Sequence, residues 1–211
     1  MSRGRLARVA RSDSRTDSPP RRLIVGTRNE HKLRELAEIL AGVELVPLPA
    51  AVELPPEDGD TFAANALIKA RVAREATGEA AIADDSGIVA RALGGRPGVQ
   101  SARYAGPAAT DEQNLAKLIA ELDGVADRAV SYVCVIAHAG ADGAERTFEG
   151  RCEGELVAEP RGGGGFGYDP AFVPAETGPD DRRTMAELTP AEKHAISHRG
   201  RAARKLAAAL L

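Results

Sequence analysis

The stretch Ala81-Ile82-Ala83-Asp84-Asp85-Ser86-Gly87 sets two adjacent carboxylates, a hydroxyl and a glycine at the end of an apolar run. The run reads as a buried strand. An Asp-Asp pair at its end costs energy unless something positive lies close, because adjacent like charges and burial both raise carboxylate pKa values. A hard divalent cation such as Mg²⁺ removes that cost and prefers carboxylate oxygens. A solvated turn is the other reading, since Asp, Ser and Gly are ordinary turn residues.

Four further segments carry chemistry. Thr27-Arg28-Asn29-Glu30-His31-Lys32 follows an apolar strand-like run, and such a strand-to-helix junction can bind phosphate through hydroxyl, amide, ammonium and free helix N–H groups. It is not a Walker loop, and an N-capped surface helix is the plainer account. Glu57-Asp58-Gly59-Asp60-Thr61 precedes a helical segment on which Asn65 and Lys69 share a face, so an amide and an ammonium can point into one site; a solvated helix face has the same pattern. The run Gly162 to Gly165 leads into Phe166-Gly167-Tyr168-Asp169-Pro170. The chain has four Phe, three Tyr and no Trp, yet Phe166, Tyr168 and Phe172 fall within seven residues. Scarce aromatics beside a backbone that can approach a ligand closely suit base stacking, with core packing as the alternative. Finally, Glu192 to Gly200 gathers Lys193, His194, His198 and Arg199, either as donors or as a polar helix face.

These segments need a scaffold, and the periodicity supplies one. Arg22 to Thr27 predicts a strand, and Leu33, Leu36, Ala37 and Leu40 predict a helix from about Glu30 that stops at Gly42. Val43 to Pro47 reads as a strand, Pro47 to Pro56 as a loop, Thr61 to Thr77 as a helix and Ala81 to Asp84 as a strand. Thr110 and Gln113 form a capping box ahead of an apolar stripe at Leu115, Leu118, Ile119 and Leu122. Val130 to Ala139 reads as a central strand covered on both faces. Asp142-Gly143 turns into Glu145–Val157, which has strand character broken by Gly150 and Gly154. Thr189-Pro190-x-Glu192 caps a closing helical region. Early alternation with a hairpin in the middle predicts an α/β protein with a mixed sheet.

At 211 residues, with a net charge of -3, hydrophobic content of 43% and charged content of 28%, the chain has an ordinary soluble composition. Residues 1–22 hold seven arginines against Asp13 and Asp17. The first 21 residues have little to bury and are expected to be a disordered basic extension. A transit peptide or a nucleic-acid arm would share its composition, but Asp13, Asp17 and Pro19-Pro20 interrupt any amphipathic helix. No apolar run approaches the ~20 residues of a membrane helix, so no membrane partner is expected, and the interrupted basic segment gives no reason to expect nucleic acid. Cys134 and Cys152 form no metal or redox motif and read as reduced core residues of a cytoplasmic protein.

Taken together the motifs are specific. Thr27-x-Asn29-x-x-Lys32, Glu57-x-Gly59-x-Thr61-Phe62-x-x-Asn65-Ala66 and Ala83-Asp84-Asp85-Ser86-Gly87 occur in order. Leu93-Gly94-Gly95-x-Pro97-Gly98, Ser101-Ala102-Arg103-Tyr104, Gly164-Gly165-Phe166-Gly167-Tyr168-Asp169-Pro170 and Ser197-His198-Arg199-Gly200 follow. Over about residues 22 to 211 the chain closely resembles the inosine triphosphate pyrophosphatases, which act on non-canonical purine triphosphates. The resemblance implies one domain, 22–211, with an elongated, mixed, twisted β-sheet flanked by helices and a nucleotide cleft between two lobes. It also implies a Mg²⁺-dependent homodimer hydrolysing ITP, dITP and XTP to monophosphate and pyrophosphate.

Carried over by position, the resemblance makes Thr27, Arg28, Asn29, Glu30, His31 and Lys32 a triphosphate loop, with Lys69 a further phosphate contact. Glu57 and Asp85 match metal carboxylates, Asp85 also the proton acceptor, and Ser86 a substrate contact. Phe166, Gly167, Tyr168, Asp169, Lys193, His198 and Arg199 match nucleoside-binding positions. Two departures stand out. Arg28 replaces a common glycine, which implies either strain or an added charge near phosphate, and Ala64 replaces a common glutamate, removing a metal or water contact. Two rivals are a Maf-type pyrophosphatase acting on dTTP or UTP and a non-catalytic nucleotide binder. The motifs at Phe166–Asp169 and Ser197–Arg199 oppose the first, and Glu57, Lys69 and Asp85 the second.

Overall fold

Capping residues and glycines delimit the elements much as the periodicity requires. The computed structural model describes residues 21–210. The expected basic extension lies outside the described residues, except for Arg21, which opens the first strand. The elements are β1 (Arg21–Val25), α1 (Glu30–Ile39), β2 (Val43–Pro47), α2 (Phe62–Thr77), β3 (Ala81–Ala90), α3 (Asp111–Glu121), β4 (Ala129–Ala139), β5 (Glu145–Leu156), β6 (Phe172–Pro174), α4 (Pro190–Ile196) and α5 (His198–Leu210). Both expected capping boxes form, Thr110 with Gln113 and Thr189 with Glu192. No helix among the described residues is long and apolar enough to cross a membrane.

The sheet is mixed, in the order β2-β1-β3-β4-β5-β6. β2, β1 and β3 run parallel, and β3 to β6 are successively antiparallel. Helices cover both faces. On one, Ala66 and Ala70 of α2 pack on Ala83, Val135 and Ala137; these small side chains let the helix sit close to the strands. On the other, Leu36 and Leu40 of α1 and Ala202, Ala203 and Leu206 of α5 pack on Ile82, Cys134 and Ile136. A separate core around Ile88, Leu118, Leu122, Tyr132, Leu156 and Phe172 fills the far end of the long strands.

One mismatch in strand length creates the site. β1 pairs with β3 only through Ile24–Ala81 and Val25–Ile82. β3 therefore runs on past the end of β1, and a crevice opens at the carboxyl end of β1, the usual place for ligands in α/β sheets.

Two expectations are corrected here. Asp84 to Gly87 do not end their strand; they occupy its middle, in continuous register with Val133 to Ile136 of β4. Nor do Gly150 and Gly154 break β5, which is continuous. A Cβ on Gly150 would lie 2.1 Å from the His198 carbonyl oxygen, and one on Gly154 would lie 2.4 Å from that of Val173. These glycines let α5 and β6 approach the sheet, an effect that local sequence cannot distinguish from a break.

Candidate active site

Because successive side chains of a strand point to opposite faces, Asp84 and Asp85 do not confront each other. Asp84 faces α1 and α5. Its Oδ2 lies 3.1 Å from Lys32 Nζ and 3.3 Å from Arg199 Nη2, and it accepts from Ser86 Oγ at 2.8 Å. Burial would raise its pKa, but Lys32, Arg199 and Lys69 outweigh that and hold it far below the usual carboxylate range. For Asp84 the expected cost of an adjacent acidic pair is thus removed by geometry and by protein cations.

Asp85 faces α2. Its Oδ2 accepts from Asn65 Nδ2 at 3.0 Å and its Oδ1 from the Ser86 backbone N–H at 2.9 Å. Burial raises its pKa, Lys69 opposes that, and the Glu57 charge adds to the rise. Glu57 and Lys69 form an ion pair. Burial disfavours the Lys69 charge, yet Asp84, Glu57 and Asp85 together raise its pKa. Two carboxylates and an ammonium therefore converge where β1 ends.

The other end of the cleft is aromatic and cationic. Phe166 stacks with His31 at a centroid distance of 5.3 Å, with Lys193 Nζ at 5.3 Å and Arg199 Cζ at 5.7 Å from its ring. Lys193 Nζ bonds Glu35 Oε1 at 2.8 Å and Asp169 Oδ2 at 2.9 Å, and Arg199 also pairs with Glu35. Asp169 in turn accepts from the Phe166 N–H at 3.0 Å and from Tyr132 Oη at 2.9 Å. His198 is buried, its ring stacked 4.5 Å from that of Tyr132. Gly167 N donates to Asp111 at 2.8 Å, anchoring the glycine-rich loop to the start of α3.

The cleft encloses about 380 Å³ and brings together Thr27, Arg28, Asn29, His31, Lys32, Glu57, Lys69, Asp85 and Ser86, with Phe166 to Asp169, Lys193, His198 and Arg199. Of the residues expected at the site, Glu30 alone is absent from this lining and is exposed in the first turn of α1. The phosphate loop is also partly committed elsewhere. Asn29 Oδ1 accepts from the His31 and Lys32 N–H groups at 2.9 and 3.1 Å, so it caps α1 and occupies donors that an anion would use. Thr27 Oγ1 accepts from Asn29 N at 3.2 Å.

The profile of the Ham1 family matches residues 23–209. The chain belongs to the Ham1 family. It is 50% identical over 187 residues to the dITP/XTP pyrophosphatase of Geobacter sulfurreducens, covering 86% of this chain and 92% of that protein. It is 49% identical over 200 residues to the dITP/XTP pyrophosphatase of Frankia alni, covering 90% and 96%. The HAM1 protein of Coxiella burnetii superposes with a TM-score of 0.81 at 42% identity, over 90% of this chain and 98% of that one. A nucleoside-triphosphatase / dITP/XTP pyrophosphatase from Mycobacterium abscessus gives 0.71 at 46% identity, with the same coverage.

One residue of this Ham1-family site, Glu35, was not singled out from sequence, and another, Asn65, was noted for sharing a face with Lys69. Glu35 binds both Lys193 and Arg199, and its position among charges on α1 resembled any solvated helix residue. Asn65, noticed for its spacing, proves to hold Asp85 directly. No group of three or more His, Cys, Asp or Glu side chains that could cage a metal occurs among the described residues. Glu57 and Asp85 are the cleft carboxylates that could hold a divalent cation. Two carboxylates suit a hard divalent cation that completes its shell with phosphate and water oxygens. Charge balance agrees, since Lys32, Lys69, Lys193 and Arg199 are already paired with Asp84, Glu57, Asp169 and Glu35. A triphosphate would bring negative charge that these pairs do not offset.

Proposed function

We propose that this protein hydrolyses the triphosphates of deaminated purines, ITP, dITP and XTP, to the monophosphate and pyrophosphate, clearing them from the nucleotide pool. The observation that carries the reading is Asp85. It is a buried carboxylate with a raised pKa, held by Asn65 beside Glu57 and Lys69, in the middle of β3 and in the same cleft as the phosphate-type loop that follows β1.

In this mechanism Asp85 orients a water and accepts its proton as the water oxygen attacks the α-phosphorus in line. The bond from that phosphorus to the bridging oxygen breaks, and pyrophosphate leaves. A free Asp, with a pKa of ~3.9, is a poor base, so the chief task of Asp85 is to hold and orient the water. Lys32 and Lys69 approach the chain of phosphates from opposite faces of β3 and stabilise charge on the leaving oxygens. Mg²⁺ held by Glu57 and Asp85 would supply Lewis-acid neutralisation of the phosphates. Phe166 stacks the base, with Lys193, His198 and Arg199 around its edge. The resemblance noted above further implies a cytoplasmic homodimer.

The test is product analysis. With ITP and Mg²⁺ the protein should release pyrophosphate and IMP, and EDTA should abolish turnover. IDP and orthophosphate as first products would refute the reading. Asp85→Asn, which keeps shape but loses charge, should lower kcat by at least ~10²-fold.

A further inference from the structure

The residue that departs from the common Thr-Gly-Asn pattern, Arg28, is not strained: no non-glycine residue among the described residues has positive φ. Three hydrogen bonds from its guanidinium also converge at one place. Nη1 donates to the Leu48 carbonyl oxygen at 2.7 Å, and Nη2 donates to those of Pro49 at 2.8 Å and Val52 at 2.6 Å. All three acceptors lie in the segment between β2 and α2, which delivers Leu54 and Glu57 to the cleft.

Leu48 is buried with Ile24, Ala73 and Ala81, and Val52 and Leu54 pack against them, but the segment has few other hydrogen bonds. Pro49, Pro55 and Pro56 have no N–H to donate. Its far half is fixed by Arg103 Nη2, which donates to the Glu57 carbonyl oxygen at 2.7 Å, and by Gly59 N, which donates to Asn65 at 2.8 Å. For hydrogen bonds its near half relies on Arg28 and on one turn bond from Val52 N to the Pro49 oxygen at 3.0 Å. A planar fork can satisfy several carbonyls in fixed directions, whereas a lysine ammonium acts as a point charge.

We propose that Arg28 is a positioning residue: a strut that ties the phosphate loop to the Glu57 segment, and not a phosphate contact. The guanidinium satisfies three carbonyl oxygens of the segment that leads to Glu57, and so limits the positions Glu57 can adopt. Its consequence for metal binding rests on the function proposed above; the strut itself does not.

Arg28→Lys and Arg28→Met separate the two roles, because lysine keeps the charge and loses the fork. Amide hydrogen exchange is read first, on the protein without nucleotide or metal. Val52, whose N–H donates to the Pro49 oxygen at 3.0 Å, should exchange about tenfold faster in both variants, because that turn loses the charged donor that holds its carbonyl oxygens. Exchange at the parental rate in either variant overturns the strut, whether or not the protein hydrolyses ITP. Binding of inorganic pyrophosphate at saturating Mg²⁺ should stay within about twofold in both, whereas a phosphate contact would lose about tenfold on Arg28→Met and recover with Arg28→Lys. That second pattern overturns the proposal. In turnover, the Mg²⁺ concentration for half-maximal rate should rise several-fold with little change in KM for ITP. An unchanged Mg²⁺ requirement alongside faster exchange overturns the link to Glu57.

Discussion

Asn65 Nδ2 donates to Asp85 Oδ2 at 3.0 Å, while Asn65 Oδ1 accepts from the Gly59 backbone N–H at 2.8 Å. A single buried amide thus joins the carboxylate of β3 to the loop that presents Glu57. Only an amide offers a donor on one side and an acceptor on the other in this volume.

Asn65→Leu keeps the volume and removes both bonds, leaving a buried carboxylate oxygen and a backbone N–H without partners. Each such orphan costs about 1–3 kcal/mol. We expect thermal unfolding at lower temperature and a kcat for ITP at least about tenfold lower, since Asp85 loses its orientation. Parental stability and turnover would show that Asn65 is dispensable.

Arg199 has a larger structural share than its place near the base suggests. It is 2% exposed and pairs with Asp84 and Glu35 while donating to Ser86 Oγ at 3.1 Å. Breaking a buried ion pair from one side typically costs about 3–5 kcal/mol. Arg199→Ala should therefore lower the unfolding free energy in urea by an amount of that order, and loss of activity in this variant should follow unfolding. A change under about 1 kcal/mol, the range of exposed pairs, would refute this.

Phe166 offers a cleaner probe of the nucleoside end. Stacking on an aromatic ring is worth about 1–3 kcal/mol per base and tolerates any base. Phe166→Ala should raise KM for ITP and ATP by similar factors, about tenfold or more, and leave their kcat/KM ratio unchanged. A ratio that falls would make Phe166 a reader of base identity. Selectivity itself belongs to the polar groups at the base edge, where unpaired donors penalise the wrong base.

Acid stability reports His198. Burial, then the charges of Arg199 and Lys193, push its pKa well below 6.5. The folded protein therefore leaves unbound a proton that the unfolded chain takes up below pH ~6.5. Stability from this group is complete above that pH and falls as pH drops, by at most about 1.4 kcal/mol per unit. His198→Asn should flatten the dependence of unfolding free energy between about pH 6.5 and 5. His138, whose pKa is also lowered by burial, contributes equally to both proteins and cancels in the comparison. An identical slope in the variant would place the His198 ring in water.

Local order was legible from sequence alone. Apolar periodicity, the Thr110 and Thr189 capping boxes and Gly42, at φ 95°, mark elements through contacts made within a few residues. The motif spacing marked the cleft residues too, because each segment carries its own chemistry. Tertiary structure decided what those groups face. Asp84 and Asp85, adjacent in sequence, are separated by strand alternation: Lys32 and Arg199 pair with the first, whereas burial raises the pKa of the second against the opposing charge of Lys69. Gly150 looked like a break and is a crossing point for α5. Arg28 looked like a phosphate donor and spends its guanidinium on Leu48, Pro49 and Val52. Glu35 meets Lys193 and Arg199 from more than 150 positions away. Such partners depend on which strand ends and helices the topology brings together, and residues near each other in the chain hold no record of that.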